Sequence, residues 1–165
     1  MKVRRGYVSN SSSSSFIIAL VRKPETVEEM KELLFQEDEW FPRPGPGEGI
    51  YPAMEIAQRV FDDLQNCEPL THEECLKLMT GSCTRPYDWK TIEYLASKET
   101  GKYDLEEANK FWRLNAEATF KPLQERHGHK LLFELHYGDE DGMPSAIMEH
   151  GNLFELVPHI RISHH

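Results

Sequence analysis

The sequence predicts an α+β protein in which strands near both ends of the chain form one antiparallel or mixed sheet, with a central run of about five helices packed on one face. An unbroken apolar run at residues 16–21 and alternating apolar residues at 131–137 predict the main strands. Helix-start signals and apolar residues spaced three or four apart fill the middle. The length of 165 residues predicts a single domain, residues 1–165.

A serine-rich run separates two predicted strands near the beginning of the chain. Residues 3–8 and residues 16–21 have strand-like side chains, and residues 9–15 between them consist of six serines and one asparagine. Pro24 ends the second strand because proline has no N–H for the ladder. We expect the serine run to be ordered because a strand holds it at each end.

The central helices are predicted from their start signals, which lie at about Thr26, Pro52, Thr71, Asp88 and Asp104. Thr26 and Thr71 each stand three residues before a glutamate and so form capping boxes. We expect Gly81 to end the third helix and Pro122 to kink or end the fifth. The predicted buried stripes of the first two helices are Val27, Met30, Leu33 and Leu34, and then Ala53, Ala57, Val60, Phe61 and Leu64.

Strand patterns return after residue 130. Leu131, Phe133, Leu135 and Tyr137 are the apolar positions of one alternating strand. The acidic, glycine-flanked residues 138–142 predict a hairpin loop, and residues 146–148 are a weaker strand candidate. Ile160 and Ile162 are the inward residues of a last strand.

Composition excludes several classes of protein. The formal net charge of −9 argues against binding to long nucleic acid, which needs a basic surface. A small anionic ligand in a local pocket, or a basic host protein on the acidic surface, remains compatible with that charge. No apolar run approaches the ~20 residues of a membrane helix. Lys2, Arg4 and Arg5 precede an apolar run too short for a signal peptide, so we expect a cytoplasmic protein.

The three cysteines are predicted to be free thiols. An odd count without a signal peptide argues against a disulfide framework. The sequence positions of Cys67, Cys75 and Cys83 are further apart than the two to four residues typical of paired zinc ligands. We therefore predict no metal at these cysteines, and the sequence indicates no particular cofactor.

The serine run suggests both an origin and a chemistry. Residues 5–17, RGYVSNSSSSSFI, resemble the opening of many small uncharacterised proteins of tailed bacteriophages and prophages, over residues 2–18 of this chain. The resemblance implies a phage origin and a host-takeover, counter-defence or virion role, and it implies no catalytic residue. Independently, successive hydroxyls and backbone N–H groups can hold an anion, and the guanidinium of a nearby arginine can donate two parallel hydrogen bonds to it. The candidate ligand-binding residues are Arg5, Ser11, Ser12, Ser13, Ser14 and Ser15. The alternative is a polar turn that bonds its own backbone.

Histidines near the end of the chain form the second candidate site. On a strand, His159, Arg161 and Ser163 share one face, and Glu134 and His136 share the polar face of another. If the two strands are neighbours and these faces agree, the five side chains converge. His136, His159 and Glu134 are then the catalytic candidates, and Arg161 and Ser163 bind the ligand. The alternatives are a solvated face with scattered histidines and, less favoured, a metal site with Glu149 and His150 nearby.

These observations predict a phage-encoded accessory protein that binds a small phosphate-bearing ligand or a host protein. Two alternatives remain open. One is a phosphate-ester hydrolase or transferase that uses the C-terminal His, Arg and Ser face, and the other is a virion structural component. A deep pocket joining the serine run to the histidine strand would favour ligand binding or catalysis. A flat sheet edge covered by a neighbouring copy would favour the virion component.

Overall fold

The structure, a computed structural model, describes residues 13–42, 50–82, 105–138, 143–150 and 152–163, and its elements are numbered within these residues. The strands are β1 (Ser13–Leu20), β2 (Trp40–Phe41), β3 (Tyr51–Pro52), β4 (Leu131–Gly138) and β5 (His159–Ser163). The helices are α1 (Val27–Phe35), α2 (Ala53–Gln65), α3 (His72–Ser82), α4 (Leu105–His127) and α5 (Met143–His150). The predicted strand at residues 3–8, the order of residues 9–12 and the helix near Asp88 lie outside the described residues.

The main sheet has three antiparallel strands in the order β4-β1-β5. The α+β class and the antiparallel pairing of strands from the two ends of the chain are therefore confirmed. Two further strands, β2 and β3, pair antiparallel in a separate sheet that lies among the helices in sequence. The prediction of a single sheet was wrong because two-residue strands are too short to show a period in the sequence.

Helices cover both faces of the main sheet, so the prediction of packing on one face was wrong. A first core joins Phe16, Ile18 and Leu20 of β1 to buried residues of α1, α2 and α5. A second core joins Ile17 and Ala19 of β1 to buried residues of α3 and α4. The physical reason is visible in β1 itself, since its residues 16–20 are all apolar and buried and leave neither face of that part of the strand for water.

The predicted capping boxes form, one fully and one in part. In α3, Thr71 Oγ1 accepts from the N–H of Glu74 at 3.3 Å, and the N–H of Thr71 donates to Glu74 Oε2 at 2.7 Å. In α1, Thr26 Oγ1 accepts from the N–H of Glu29 at 3.2 Å. The Glu29 carboxylate instead accepts from both terminal nitrogens of Arg22, each at 3.0 Å. Both helices start where the sequence predicted.

The predicted buried stripes hold with three exceptions, the first of which is Val27, only partly buried at the start of α1. Leu33 is 41% exposed and was wrongly placed in the core of α1, where Met30 and Leu34 are buried. In α2, Phe61 packs against the first core while only partly buried. Ile56, which was not predicted, is fully buried there.

Three predicted boundaries after residue 70 differ from those in the structure. α3 continues past Gly81 to Ser82. α4 continues past Pro122 to His127, and packing of its Phe120 and Leu123 in the second core offsets the lost backbone hydrogen bond. Residues 146–148 belong to helix α5, not to a strand. Of the predicted hairpin loop, residues 139–142 lie outside the described residues. A three-residue apolar run fits either structure, and the buried residues Ser145, Met148 and Glu149 follow the helical spacing.

None of the helices within the described ranges is both long enough and apolar enough to cross a membrane.

Cys67 and Cys75 are free thiols, as predicted, and Cys83 lies outside the described residues. Burial raises the pKa of Cys75 to about 11, and burial also raises that of Cys67. At about pH 8, roughly a thousandth of Cys75 is thiolate.

We expect Cys75 to react with a thiol reagent far more slowly in the native protein than in denaturant, where three thiols per chain should titrate. Native labelling of Cys75 at the rate of glutathione would contradict its burial.

Candidate functional site

The polar residues predicted to bind a ligand lie at one end of the main sheet. Ser14 is opposite Ser163 on one side and Tyr137 on the other. Ser15 is opposite His136, and Phe16 is opposite Arg161. Arg5, Ser11 and Ser12 lie outside the described residues. Ser13, the first residue of β1, is opposite Gly138 at the end of β4.

The predicted convergence of five polar side chains does not occur. β1 lies between β4 and β5, so the two strands are not neighbours. Directly opposed residues of antiparallel strands point to the same face. His159, Arg161 and Ser163 therefore share the first-core face with Ser14 and Phe16. Glu134 and His136 lie on the second-core face with Ser15, so the sheet separates the two groups.

The first-core group centres on Arg161. Its Nε donates to Ser14 Oγ at 3.1 Å, and its Cζ lies 5.9 Å from the centre of the Phe16 ring. Ser14 is fully buried, so its hydroxyl restrains the position of the guanidinium group through this bond. Among the residues that the structure describes, Arg161 has no carboxylate partner. Its two terminal nitrogens are therefore left to donate to a ligand. We call Ser14, Phe16, His159, Arg161 and Ser163 the Arg161 site.

His159 completes this surface next to the arginine. Its Nδ1 lies 2.9 Å from the Val157 carbonyl oxygen, which only accepts, so Nδ1 carries the proton. In the neutral form of the ring, Nε2 is then an acceptor. The ring packs 6.3 Å from Phe16 and 6.2 Å from Phe154, measured between ring centres. Phe16 thus holds an imidazole and a guanidinium on the same face of the sheet.

A second polar contact lies on the opposite face. Ser15 Oγ and His136 Nδ1 are 3.1 Å apart. His136 is exposed, whereas Ser15 is only 3% exposed. The serine hydroxyl has little access to a substrate, so this pair is better suited to holding the His136 ring in place than to attacking a bond.

No deep pocket joins the serine residues to the histidine strand in the part of the chain that the structure describes. A cavity of about 220 Å³ runs along β5 and is lined by four consecutive strand residues and by α3 and α4. Asn115 and Thr119 of α4 add polar groups to its wall. Sequence reasoning missed both, because only the packing of α4 beside β5 brings them there.

A larger cavity, of about 460 Å³, lies at the other end of β1. Its lining is mainly apolar and includes Leu20, Leu33 and Leu156. Within the described ranges, no group of three histidine, cysteine, aspartate or glutamate residues is arranged to hold a metal ion. Comparisons of the chain with protein-family models, curated proteins and solved structures each gave no match.

Proposed function

We propose that this chain binds a small phosphate-bearing ligand at the Arg161 site, as a phage-encoded accessory protein acting in host takeover or counter-defence. The observation that supports this most strongly is the bond from Arg161 Nε to the buried Ser14 hydroxyl. That bond engages only Nε and leaves both terminal nitrogens of an exposed arginine on an edge strand.

A guanidinium held in this way suits a phosphate oxygen pair. The planar fork donates two parallel hydrogen bonds, and its charge is retained at every physiological pH. Contact with Phe16 and the bond to Ser14 restrict the long side chain before the ligand arrives, which reduces the entropy lost on binding. The exposed Ser163 hydroxyl, opposite Ser14, adds a neutral donor on the same face.

A phosphate-ester hydrolase or transferase is the second candidate function, and the position of His159 favours it. His159 lies on the same face as Arg161, and its neutral ring leaves Nε2 as a proton acceptor. His136 and Glu134 have no part in this candidate because the sheet separates them from Arg161. An assay with phenyl phosphate in place of inorganic phosphate distinguishes turnover from binding.

Titration with inorganic phosphate and phenyl phosphate tests the proposal. We expect Arg161→Ala to weaken binding at least about tenfold, a change of about 1.4 kcal/mol. The affinity of Arg161→Lys should lie between those of the unchanged protein and Arg161→Ala, because lysine keeps the positive charge but lacks the two parallel N–H donors of a guanidinium. The matched control is Arg113→Ala, since Arg113 is an exposed arginine already paired with Glu73. A folded Arg161→Ala protein with unchanged affinity would refute the site. Equal losses in both variants would indicate a general charge effect and refute it as well.

A further inference from the structure

A further cavity, which we call the basic cavity, is lined by residues that all lie between positions 69 and 132 and includes no residue of the Arg161 site. It has a volume of about 200 Å³ and lies between α3, the end of α4 and the start of β4. Its polar lining residues are His72, Gln124, His127 and Lys130, and its described lining contains no carboxylate. In a chain with a net charge of −9, a cavity bordered by three basic side chains and no acid is an unusual local environment.

His72 is held so that one ring nitrogen can donate to a bound group. Gln124 Nε2 lies 3.0 Å from His72 Nδ1, and since an amide nitrogen only donates, Nδ1 is the acceptor. The ring proton of neutral His72 is then on Nε2. The ring also packs edge-on against Phe120, with 5.0 Å between ring centres. The imidazole is thus oriented by both a hydrogen bond and an aromatic contact.

A tight turn brings His127 and Lys130 to the same cavity. The N–H of Lys130 donates to the His127 carbonyl at 2.9 Å. A side chain at Gly128 would place its Cβ only 2.5 Å from the Gln124 carbonyl oxygen, so the turn requires glycine. The N–H of Leu70 donates to the Leu132 carbonyl at 2.7 Å and ties the segment before α3 to β4. Backbone contacts therefore fix both sides of the cavity.

The basic groups here repel one another. Partial burial, followed by the charges of Lys130, His129 and Arg126, lowers the pKa of His127. Two acids close in sequence to these residues are already engaged: Glu73 binds Arg113 through both oxygens, at 3.2 and 3.0 Å, and Glu125 lies 3.7 Å from Lys121. A bound anion would relieve this repulsion and favour protonated His127.

We propose that this cavity binds a compact organic anion, whose carboxylate or phosphate group contacts His72, His127 and Lys130. The apolar part of the ligand packs against the apolar lining, which includes Phe120, Leu123 and Leu132. The volume is below that of sites for drug-sized ligands, so the ligand is small. Because binding favours protonated His127, affinity rises as the pH falls. This site is separate from the Arg161 site and does not depend on the function proposed there.

Titration of the full-length chain with benzoate, phenyl phosphate and uncharged benzyl alcohol tests the inference. We expect at least one of the two anions to bind at about pH 6 and to bind at least about tenfold more weakly at about pH 8. Lys130→Gln and His127→Gln should each reduce affinity at about pH 6 by about tenfold or more. The matched control is Lys110→Gln, which changes an exposed lysine paired with Glu106. The titrations are repeated in Arg161→Ala, which removes the phosphate site proposed above, and binding of benzoate or phenyl phosphate at the cavity should persist in that variant.

The two anionic probes distinguish a carboxylate ligand from a phosphate ester by their relative affinities. Benzyl alcohol binding as tightly as both anions would overturn the inference, because the cavity would then be merely apolar. Failure of both anions to bind at about 10 mM would also overturn it. A folded Lys130→Gln protein with unchanged affinity, or an equal loss in Lys110→Gln, would have the same consequence.

Discussion

Replacing Ile17 with alanine should lower the free energy of unfolding by about 2–5 kcal/mol, and replacing its neighbour Phe16 should cost about 3–5 kcal/mol. Ile17 is completely buried in the second core, and Phe16 is 2% exposed in the first core. Each truncation removes apolar contacts and leaves a cavity that the surrounding elements only partly fill. Consecutive residues of a strand point to opposite faces, so the pair tests both cores.

Urea denaturation measures this prediction, with the midpoint expected to fall at a similar slope. The matched control is Val21→Ala, just beyond the end of β1, because Val21 is 74% exposed and should change stability by no more than about 0.5 kcal/mol. A large loss for only one of Phe16 and Ile17 would mean that only one face of the sheet is covered.

Replacing Tyr137 with phenylalanine should stabilise the protein by about 1 kcal/mol or more. Tyr137 is fully buried, and its hydroxyl makes no hydrogen bond of ordinary length to the described residues. Its one side-chain contact of this kind is a weak one with Asp63, the smallest of the causes that raise its pKa. Burial, followed by the nearby Asp63 charge, raises the pKa of Tyr137. Asp63 itself accepts a hydrogen bond from Arg59 Nε at 3.0 Å. Removing a buried hydroxyl that has only this weak contact with Asp63 keeps the ring packing and removes a desolvation cost.

Thermal or urea denaturation of Tyr137→Phe checks this gain. Tyr51→Phe is the control, since Tyr51 is only half-buried and should change stability little. A loss of stability in Tyr137→Phe above about 0.5 kcal/mol would show that the hydroxyl is bonded in solution and contradict the prediction.

Sequence patterns that span only a few residues, such as capping boxes and alternating apolar residues, predicted helix starts and strand faces correctly in this chain. The Thr71–Glu74 capping box forms because both of its hydrogen bonds join residues three apart. Alternation placed Phe133, Leu135 and Tyr137 on one face of β4 correctly. Local signals failed where tertiary packing overrides them, as in the continuation of α4 through Pro122 and the helical state of residues 146–148.

The composition of the two candidate sites depends on which strands and helices lie next to each other, and the sequence patterns do not specify this. Alternation alone placed His159, Arg161 and Ser163 on one face. The position of β1 between β4 and β5 decided that Glu134 and His136 face the other way. The bond from Arg161 to Ser14 also required the observed register. The basic cavity was missed because His72 and His127 meet only through the packing of α3 against the end of α4.

The most direct test of the proposed function is a map of backbone amide chemical shifts during titration with inorganic phosphate. We predict saturable shifts at Ser14, Arg161 and Ser163, which lie together at one end of the sheet, and their loss in Arg161→Ala. Amides around Val21, near the opposite end of β1, should stay unchanged. The absence of saturable shifts at Ser14, Arg161 and Ser163, or shifts confined to the basic cavity, would contradict phosphate binding at the Arg161 site.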